Sequence, residues 1–480
     1  MSHTQLETDY LIIGSGAVGM AFADVLLAET NANIIIVDKH HKPGGHWNDA
    51  YSFVTLHQPS KFYGVSSKEL SNDQIDQVGL NKGLMELATG DQVMSYFDQV
   101  MKQHFLPSGR VQYFPMCEYS GDGEFKSLLS DEHYKVKVNR KTVDGTYFKT
   151  SVPSTHKVKF DIAKGVQFEP LNYLPKLTQL NSSEQADAYV VIGGGKTGID
   201  ACLWLLQNKV NPDHITWIMP RDAWWIDRQN IQPSMQYFDK LVTTQAAQLE
   251  AIASAESISD LFKRLEQANV LFRLDPNVTP QMFHGATVSQ DEATELRRIK
   301  NVVRKGRVQK LELDKIVLDQ GEISTTPNTL HIDCSARAVP VTQSYPVFEN
   351  DTITVQTVRS YQPVFSAAFI AHIEASYDDQ NIKNELCTVV PLPNHDTDWL
   401  LGTAMQMKNQ YRWSQEKGLR AWLMSNRLDG FTAMITPNEN TSPEQLALLE
   451  RMKNAVPQAL QNLPKLMSEL QQRQASVTSK

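Results

Sequence analysis

The chain has 480 residues, of which 41% are apolar and 21% charged, as expected for a globular protein of two or three domains. Its formal net charge of −8, with no basic run that interleaves aromatic residues, argues against a nucleic-acid partner. No apolar run approaches the roughly 18 residues of a membrane helix, and no secretory signal opens the sequence, so we expect a soluble cytoplasmic protein without a membrane partner.

The first glycine motif follows a predicted buried strand. In YLIIGSGAVG, residues 10–19, an apolar run precedes Gly14, Gly16 and Gly19, and a predicted helix over residues 20–28 follows. In this G-x-G-x-x-G pattern the first glycine permits a tight turn, the second lets backbone approach a pyrophosphate, and the third lets helix and strand pack closely. The helix N-terminus adds partial positive charge. This first glycine turn predicts a dinucleotide site, and a turn that serves packing alone is the alternative.

A second apolar strand, residues 33–38, ends in Asp38, 19 residues beyond Gly19. A carboxylate at that position can accept hydrogen bonds from both ribose hydroxyls of an adenosine, and it repels a 2′-phosphate. The alternative is that Asp38 only forms the turn at the strand end. Lys39, which follows directly, is predicted to contact the same cofactor.

The second glycine motif lies in VVIGGGKTGIDACLWLL, residues 190–206. Its Gly-Lys-Thr resembles a nucleoside-triphosphate loop, but that loop needs a glycine five positions before the Gly-Lys pair, where this chain has Val190. The apolar run before it and the helix after it predict a second dinucleotide turn instead. Lys196 is then incidental as a triphosphate ligand. The predicted cofactor contacts of this second glycine turn are Gly193, Gly195, Lys196, Thr197 and Gly198.

The strand after the second turn, residues 214–221, ends in a cation, Arg221, where the first unit has an acid. An arginine can make a bidentate, charge-assisted contact to a 2′-phosphate, so Arg221 predicts NADP rather than NAD. The alternative is a solvated loop cation, because the neighbouring Asp222 would oppose a phosphate.

The positions of the cysteines and histidines bear on two kinds of site, a dithiol relay and a metal site. No C-x-x-C pair is present, so the electron relay through a close cysteine pair that disulfide reductases use is not supported. The four cysteines are Cys117, Cys202, Cys334 and Cys387. The densest histidine cluster, His40, His41 and His46, lies in a loop without acid or thiol partners, and we predict no metal site.

The two glycine turns lie about 180 residues apart, and the first is followed by Asp38 and then by Gly44-Gly45-His46-Trp47. With this arrangement, roughly residues 8–390 resemble the flavin-containing monooxygenases and their Baeyer–Villiger and N-hydroxylating relatives. The resemblance implies that the first site binds FAD and the second NADPH. It implies that Gly14, Gly16, Gly19 and Asp38 contact FAD, together with the segment from Gly44 to Trp47, which includes Gly45 and His46. On its own Trp47 fits a core aromatic equally well.

The sequence departs from the family in three places. The family has an asparagine near the reactive face of the flavin, and Gln58 is the closest substitute, predicted as a catalytic residue and cofactor contact. The fingerprint of Baeyer–Villiger enzymes is missing between the turns. The family's late D-x-x-x-A-T-G strand corresponds to residues 329–336, where Asp333 fits and is predicted to close the flavin site, while Ser335-Ala336 replaces Thr-Gly.

The resulting fold prediction is an α/β protein with two Rossmann-like dinucleotide-binding domains and a helical C-terminal extension. The FAD domain comprises residues 1–180 and 326–390, and it is split by an inserted NADPH domain, residues 181–325. Residues 391–480 form the helical extension.

The resemblance implies an FAD-dependent, NADPH-using monooxygenase that acts through a flavin C4a-hydroperoxide on a small organic substrate and O₂. Two enzyme alternatives stay open: an FAD-dependent NADPH reductase or oxidase without oxygen transfer, which the lost asparagine favours, and a single-component flavin-dependent halogenase. A protein that holds FAD without turnover is the third alternative. The sequence leaves the substrate, and the formation of a homo-oligomer, open.

Overall fold

The computed structural model describes residues 4–179, 186–337 and 343–478, which form two large sheets with helices around them. The strands of these residues, β1 to β22 in chain order, are Thr4–Ile13, Ile34–Val37, Gly64–Val65, Lys68–Glu69, Val111–Phe114, Cys117–Gly121, Glu124–Ser127, His133–Asp144, Asp161–Ile162, Gln167–Pro170, Ala188–Ile192, Ile215–Ile218, Trp225–Asp227, Leu271–Phe272, Thr287–Val288, Asn301–Val303, Val308–Leu311, Lys315–Leu318, Gly321–Ser324, Thr329–Asp333, Phe348–Glu349 and Thr352–Thr354. The α-helices, α1 to α11, are Ala17–Glu29, Gly90–Val100, Lys196–Gln207, Phe238–Ser254, Ile258–Gln267, Gln290–Leu296, Pro363–Ser376, Gln380–Leu386, Asp398–Gln415, Lys417–Ser425 and Pro443–Thr478.

The first sheet is built around β1, which pairs in parallel with β2 on one side and β8 on the other. Its strand order is β21-β22-β8-β1-β2-β5, and the β6-β7 hairpin extends it from β8. Strand β2 is the apolar run IIIV, and all four residues are buried, as expected for a central parallel strand. Helix α1 connects β1 to β2. Ten of its 13 residues are buried, because it packs against α7 as well as the sheet.

The second sheet has the order β10-β20-β11-β12-β16, and all neighbouring strands are parallel. Helix α3 connects β11 to β12, as α1 connects β1 to β2 in the first sheet. Both glycine turns therefore lie between a buried parallel strand and the helix that follows it. The predicted fold class, with two Rossmann-like units, is confirmed.

The predicted boundaries at residues 180 and 326 do not follow the two sheets. Strand β10 comes before the first boundary and β20 after the second, yet both pair within the second sheet, with β20 directly beside β11. The chain returns to the first sheet only at β21. Strands of four and five residues carry too little periodic pattern to show which sheet they join.

The C-terminal part is helical, as predicted. Helix α11 begins at Pro443, and Ser442 Oγ before it accepts a hydrogen bond from the Gln445 amide at 3.2 Å. α11 packs along α4, and its Asn462 side chain donates to two carbonyl oxygens at the end of α4 at 2.8 Å. Among the residues that the structure describes, no helix combines the length and the apolar character that crossing a bilayer requires.

Candidate functional site

A large cavity opens at the carboxyl ends of β1 and β2, where α/β sheets commonly bind ligands. Its volume is about 1770 Å³, more than the roughly 300–1,000 Å³ of a site for one drug-sized ligand. The wall includes Gly14 and Gly16, continues past Trp47 and Gln58, and reaches Lys196 at the second glycine turn. The cavity therefore connects the two predicted dinucleotide sites.

The first glycine turn has the backbone that its sequence predicts. Gly14 has φ +95°, a conformation that disfavours residues with a side chain. A Cβ on Gly19 would lie 2.0 Å from the Gly14 carbonyl oxygen, so only glycine lets α1 approach β1 this closely. No side chain caps α1 at Gly16, and no acidic residue lies in its first turn. The N–H groups at this helix end are therefore available to an anion.

Asp38 lies at the end of β2 and lines the cavity. Its carboxylate accepts hydrogen bonds from the Ser15 amide at 2.5 Å and from Ser15 Oγ and His40 Nδ1 at 2.9 Å each. Burial alone would raise the pKa of Asp38, but the hydrogen bonds from His40 and Ser15 outweigh it and hold the pKa below its usual value. Asp38 is thus an oriented anion on the cavity wall. Lys39 beside it is exposed and also lines the cavity.

The loop with Gly45, His46 and Trp47 forms the next part of the wall. Trp47 Nε1 donates to the Tyr63 hydroxyl at 2.8 Å, and His46 stacks on Trp47 with 5.4 Å between ring centroids. Burial lowers the pKa of His46 to about 4, so its ring is neutral near pH 7. Trp47 also packs against the core of the first sheet, so its two predicted roles are compatible.

Gln58 lies on the cavity wall, and among the described residues its side-chain amide has no hydrogen-bond partner. The neighbouring His57 is a second polar group on this wall. His57 Nδ1 accepts a hydrogen bond from the Thr287 amide at 3.3 Å, which places the proton of the neutral ring on Nε2. Burial first, and then the charges of Lys196 and Arg228, lower the pKa of His57 to about 3. Gln58 and His57 are therefore neutral hydrogen-bonding groups.

Arg228 fixes the position of His57. Its side chain is fully buried and donates to the His57 carbonyl oxygen at 3.1 Å, to the Thr287 carbonyl oxygen at 3.3 Å and to Glu292 at 2.8 Å. Sequence reasoning missed Arg228 and gave His57 no role, because no motif marks either residue. The partners of His57 are distant in sequence, so no local signal identifies them.

The second glycine turn has the same geometry as the first. Gly193 has φ +133°, and a Cβ on Gly198 would lie 2.0 Å from the Gly193 carbonyl oxygen. A Cβ on Gly195 would meet no atom within 4 Å. As in the first turn, no side chain caps the following helix and its first turn carries no acid. This helix end is also available to an anion.

Lys196 and Thr197, the first residues of α3, both line the large cavity. Lys196 forms an ion pair with Asp200, whose other carboxylate oxygen accepts a hydrogen bond from the Tyr51 hydroxyl at 2.5 Å. Tyr51 lies between β2 and β5 of the first sheet, and Asp200 lies on α3 beside the second sheet, so this contact joins the two units beside the cavity. The ammonium group of Lys196 is engaged by this carboxylate.

Arg221 lies beyond the end of β12 but not on the wall of the large cavity. Its guanidinium donates to Asn394 Oδ1 at 3.1 Å. Burial first, and then the neighbouring charges of Arg307 and Arg337, lower the pKa of Arg221. Arg221 and the two arginines whose charges act on it form a cationic cluster, of a kind that suits a phosphate.

Asp222 does not compete for this cluster. It is 6% exposed, and its carboxylate accepts two hydrogen bonds from Arg304, at 2.7 and 3.0 Å. The Arg304 pairing lends no support to the alternative in which Asp222 opposes a phosphate at Arg221, because a different arginine neutralises its charge.

Asp333, which was predicted to close the flavin site, lies in the second sheet and not beside the first glycine turn. It ends β20 in the second sheet, opposite Ile192, and its carboxylate accepts hydrogen bonds from the Ser335 amide at 2.9 Å and the Ser335 hydroxyl at 2.6 Å. It does not line the large cavity. The prediction that Asp333 closes the flavin site is not supported, because its strand pairs beside the second turn.

Acid is expected to destabilise the protein through His57. Its pKa is about 3 when folded and about 6.5 when unfolded, so between these values only the unfolded chain takes up the proton. In this range the free energy of unfolding falls by about 1.4 kcal/mol for each unit by which the pH is lowered. The free energy of unfolding is measured by urea titration at several pH values between about pH 6 and about pH 4. Plotted against pH, it should fall less steeply in His57→Asn than in the wild type, by this amount per pH unit. The exposed His41→Asn serves as the control, and equal slopes in all three proteins would contradict a neutral His57.

Three comparisons bear on this arrangement. Residues 12–56 match the family model described as an NAD(P)-binding Rossmann-like domain, which confirms the predicted unit around the first glycine turn. The uncharacterized protein Rv2000 of Mycobacterium tuberculosis is 49% identical over 432 residues, which cover 90% of this chain and 79% of that protein. The uncharacterized oxidoreductase CzcO of Bacillus subtilis is 22% identical over 204 residues, 42% of this chain and 53% of that protein.

Among solved structures, a mutant flavin monooxygenase of Stenotrophomonas maltophilia is similar with a TM-score of 0.44 and 11% identity, over 80% of this chain and 100% of that one.

Proposed function

We propose that this chain, which belongs to the same family as the uncharacterized protein Rv2000 of Mycobacterium tuberculosis, is an FAD-dependent, NADPH-using monooxygenase that acts on a small organic substrate. The observation that carries the proposal is the junction of two glycine turns at one cavity. Each turn leads into a helix whose N-terminus has no capping side chain and no acidic residue in its first turn. Two sites for dinucleotide phosphates on one cavity suit hydride exchange between two cofactors.

The residues of the first site fit FAD. Gly14 and Gly16 leave the end of α1 open to a pyrophosphate, and Asp38, whose depressed pKa keeps it anionic, would hold the adenosine ribose. Trp47 and His46 offer neutral aromatic surface farther along the wall. When bound, FAD would supply the redox chemistry, which is the acceptance of a hydride from NADPH and the activation of O₂.

The residues of the second site fit NADPH. Gly195 leaves the end of α3 open, and Thr197 lies in the first turn of that helix. The cluster of Arg221, Arg307 and Arg337 would take the 2′-phosphate. Lys196, held by Asp200, lies where the second turn meets the large cavity.

His57 and Gln58 would orient the reacting oxygen. In neutral His57 the Nε2–H donates, while the Gln58 amide can donate and accept, and both face the cavity. Neither group carries a charge at neutral pH, so neither draws a counterion or its hydration shell into the cavity. We propose Gln58 as the catalytic hydrogen-bonding group, with His57 beside it.

The proposal is tested on the purified protein. We expect one FAD per chain, bleaching of its absorbance by NADPH without oxygen, and one atom from isotopically labelled O₂ in the product. Colourless protein that cannot be reconstituted with FAD would contradict the proposed cofactor.

The second candidate is an FAD-dependent NADPH reductase or oxidase without oxygen transfer. The presence of Gln58 where the resembling family has an asparagine favours it. The four cysteines, all buried and unpaired, lend no support to a dithiol relay. Rapid mixing of reduced protein with O₂ separates the candidates, because only the monooxygenase should show a transient absorbance distinct from oxidised and reduced FAD. Product formation only with added halide would identify the halogenase alternative.

Replacing Gly195 by valine is expected to weaken NADPH binding and leave FAD content unchanged. The backbone at Gly195 has φ −86° and ψ −175°, which valine adopts readily, and its Cβ would meet no protein atom. The side chain would occupy the space in which backbone approaches the pyrophosphate. NADPH-driven flavin reduction should need about 10- to 100-fold more nucleotide, a cost of roughly 1.4–2.8 kcal/mol. An unchanged concentration dependence would contradict the assignment of the second turn.

A further inference from the structure

Part of the wall of the large cavity comes from α4 and α11, neither of which belongs to a glycine turn. Residues on one face of α4 line it, at the spacing of successive helical turns. They are Leu241, Thr244, Gln245, Gln248 and Leu249. The opposite wall comes from α11. Its lining residues are Met452, Val456, Leu460 and Leu463. We call this space the α4–α11 arm.

The α4–α11 arm contains no ionisable side chain among these nine residues, whereas Asp38, Lys39 and Lys196 line the part near the glycine turns. An ionised ligand in the arm would lose its hydration without gaining an opposite charge, which is costly. The α11 wall is entirely apolar, and half of the Leu460 surface stays accessible. The chain's own side chains therefore leave apolar surface in the arm uncovered.

The α4 wall adds a few polar groups. Among the described residues, the side-chain amides of Gln245 and Gln248 have no hydrogen-bond partner, whereas Thr244 donates its hydroxyl proton to Asn230 at 3.1 Å. Amide groups of this kind satisfy one or two neutral oxygen atoms of a ligand without requiring charge. The arm thus combines an apolar wall with a short line of neutral hydrogen-bonding groups.

We infer that the α4–α11 arm binds the substrate, as an elongated, uncharged and mainly apolar molecule that carries a neutral oxygen function. This inference rests on the proposed function, because it assigns the arm to the substrate of the flavin site. The apolar length of the molecule lies along Val456, Leu460 and Leu463, and its oxygen function contacts Gln245 or Gln248. The total volume of about 1770 Å³ leaves room for such a molecule beside a cofactor at the first turn.

The test measures binding to the FAD-loaded protein, by perturbation of flavin absorbance and by the shift of the thermal unfolding midpoint. Three probes are compared: 2-undecanone, which is long and neutral; undecanoate, which has the same length and a charge; and acetone, which is short and neutral. We expect saturable binding of 2-undecanone alone. Undecanoate that binds as tightly as the ketone would overturn the inference.

Variants locate the binding. Val456→Trp fills the arm and should weaken 2-undecanone binding about 10-fold or more. Leu446→Trp lies on an exposed part of the same helix, outside the cavity, and should bind as the wild type does. Gln245→Met removes one amide at similar size, and loss of one hydrogen bond should weaken binding about 2- to 12-fold. A folded Val456→Trp with unchanged affinity would also overturn the inference.

The outcomes keep this inference separate from the proposed function. FAD content and bleaching by NADPH are measured on the same wild-type sample before any probe is added. A wild type without FAD contradicts the proposed function, and ketone binding is then followed by thermal shift alone. An FAD-loaded, NADPH-reducible wild type that does not bind 2-undecanone contradicts the inference about the arm.

Discussion

Replacing Gly16 by valine is expected to give a folded protein without FAD. Gly16 has φ −71° and ψ 177°, which valine adopts, and a Cβ there would lie 3.4 Å from Gly45 Cα. The chain can therefore accept the first side-chain carbon, but the side chain would fill the space in front of the free N–H groups of α1. The measurement is flavin absorbance per chain after reconstitution, with circular dichroism to confirm folding.

The matched control is Gly195→Val, the equivalent change at the second turn, which should keep a full complement of FAD. The milder Gly16→Ala adds only the carbon that the backbone accepts, and it should lower FAD affinity by about 10- to 100-fold. Stoichiometric FAD in Gly16→Val would show that the first turn serves packing only.

Replacing Arg221 by alanine is expected to raise the apparent KM for NADPH by about 10- to 150-fold, the equivalent of losing a charge-assisted contact of roughly 1.5–3 kcal/mol. The use of NADH should stay nearly unchanged, because only NADPH carries the 2′-phosphate. Arg307 and Arg337 stay near the phosphate in this variant, so some preference for NADPH should survive. The measurement is the rate of flavin reduction against concentration for both nucleotides.

Arg298→Ala removes an arginine from the surface of the same unit, where it pairs with Glu295, and it serves as the charge-matched control. If Arg221→Ala raised the apparent KM for NADPH and for NADH by the same factor, the role of Arg221 would be structural only, through its contact with Asn394. A wild type that prefers NADH would remove the basis for a phosphate at this cluster.

The parts of the site that sequence could predict are those encoded within a few residues. Gly14, Gly16 and Gly19 follow an apolar strand and precede a helix. The protein itself requires glycine at Gly14, through its positive φ, and at Gly19, through its close approach to the Gly14 carbonyl oxygen. The same holds for Gly193 and Gly198. A strand, a turn and a helix in direct succession are therefore predictable from sequence.

The parts that sequence could not predict depend on contacts between distant residues. The Thr287 amide that fixes the His57 ring is 230 positions away, and the Glu292 carboxylate that holds Arg228 is 64 positions away. The pairing of Asp222 could not be predicted, because its partner, Arg304, is 82 positions away. Asp333 was placed at the wrong turn because a five-residue strand does not reveal its pairing. Composition and periodicity contain none of this information.

The first sheet has a consequence for the order in which the protein can fold during synthesis. Its strands come from residues 4–144 and 348–354, and α7, which covers α1, ends at Ser376. The second sheet uses only residues 167–333. The ribosome therefore completes the unit of the second sheet while the unit of the first sheet still lacks β21, β22 and α7. The apolar side of α1 cannot be covered until α7 has been synthesised. The surroundings of the first glycine turn are therefore completed only after the second unit can already fold.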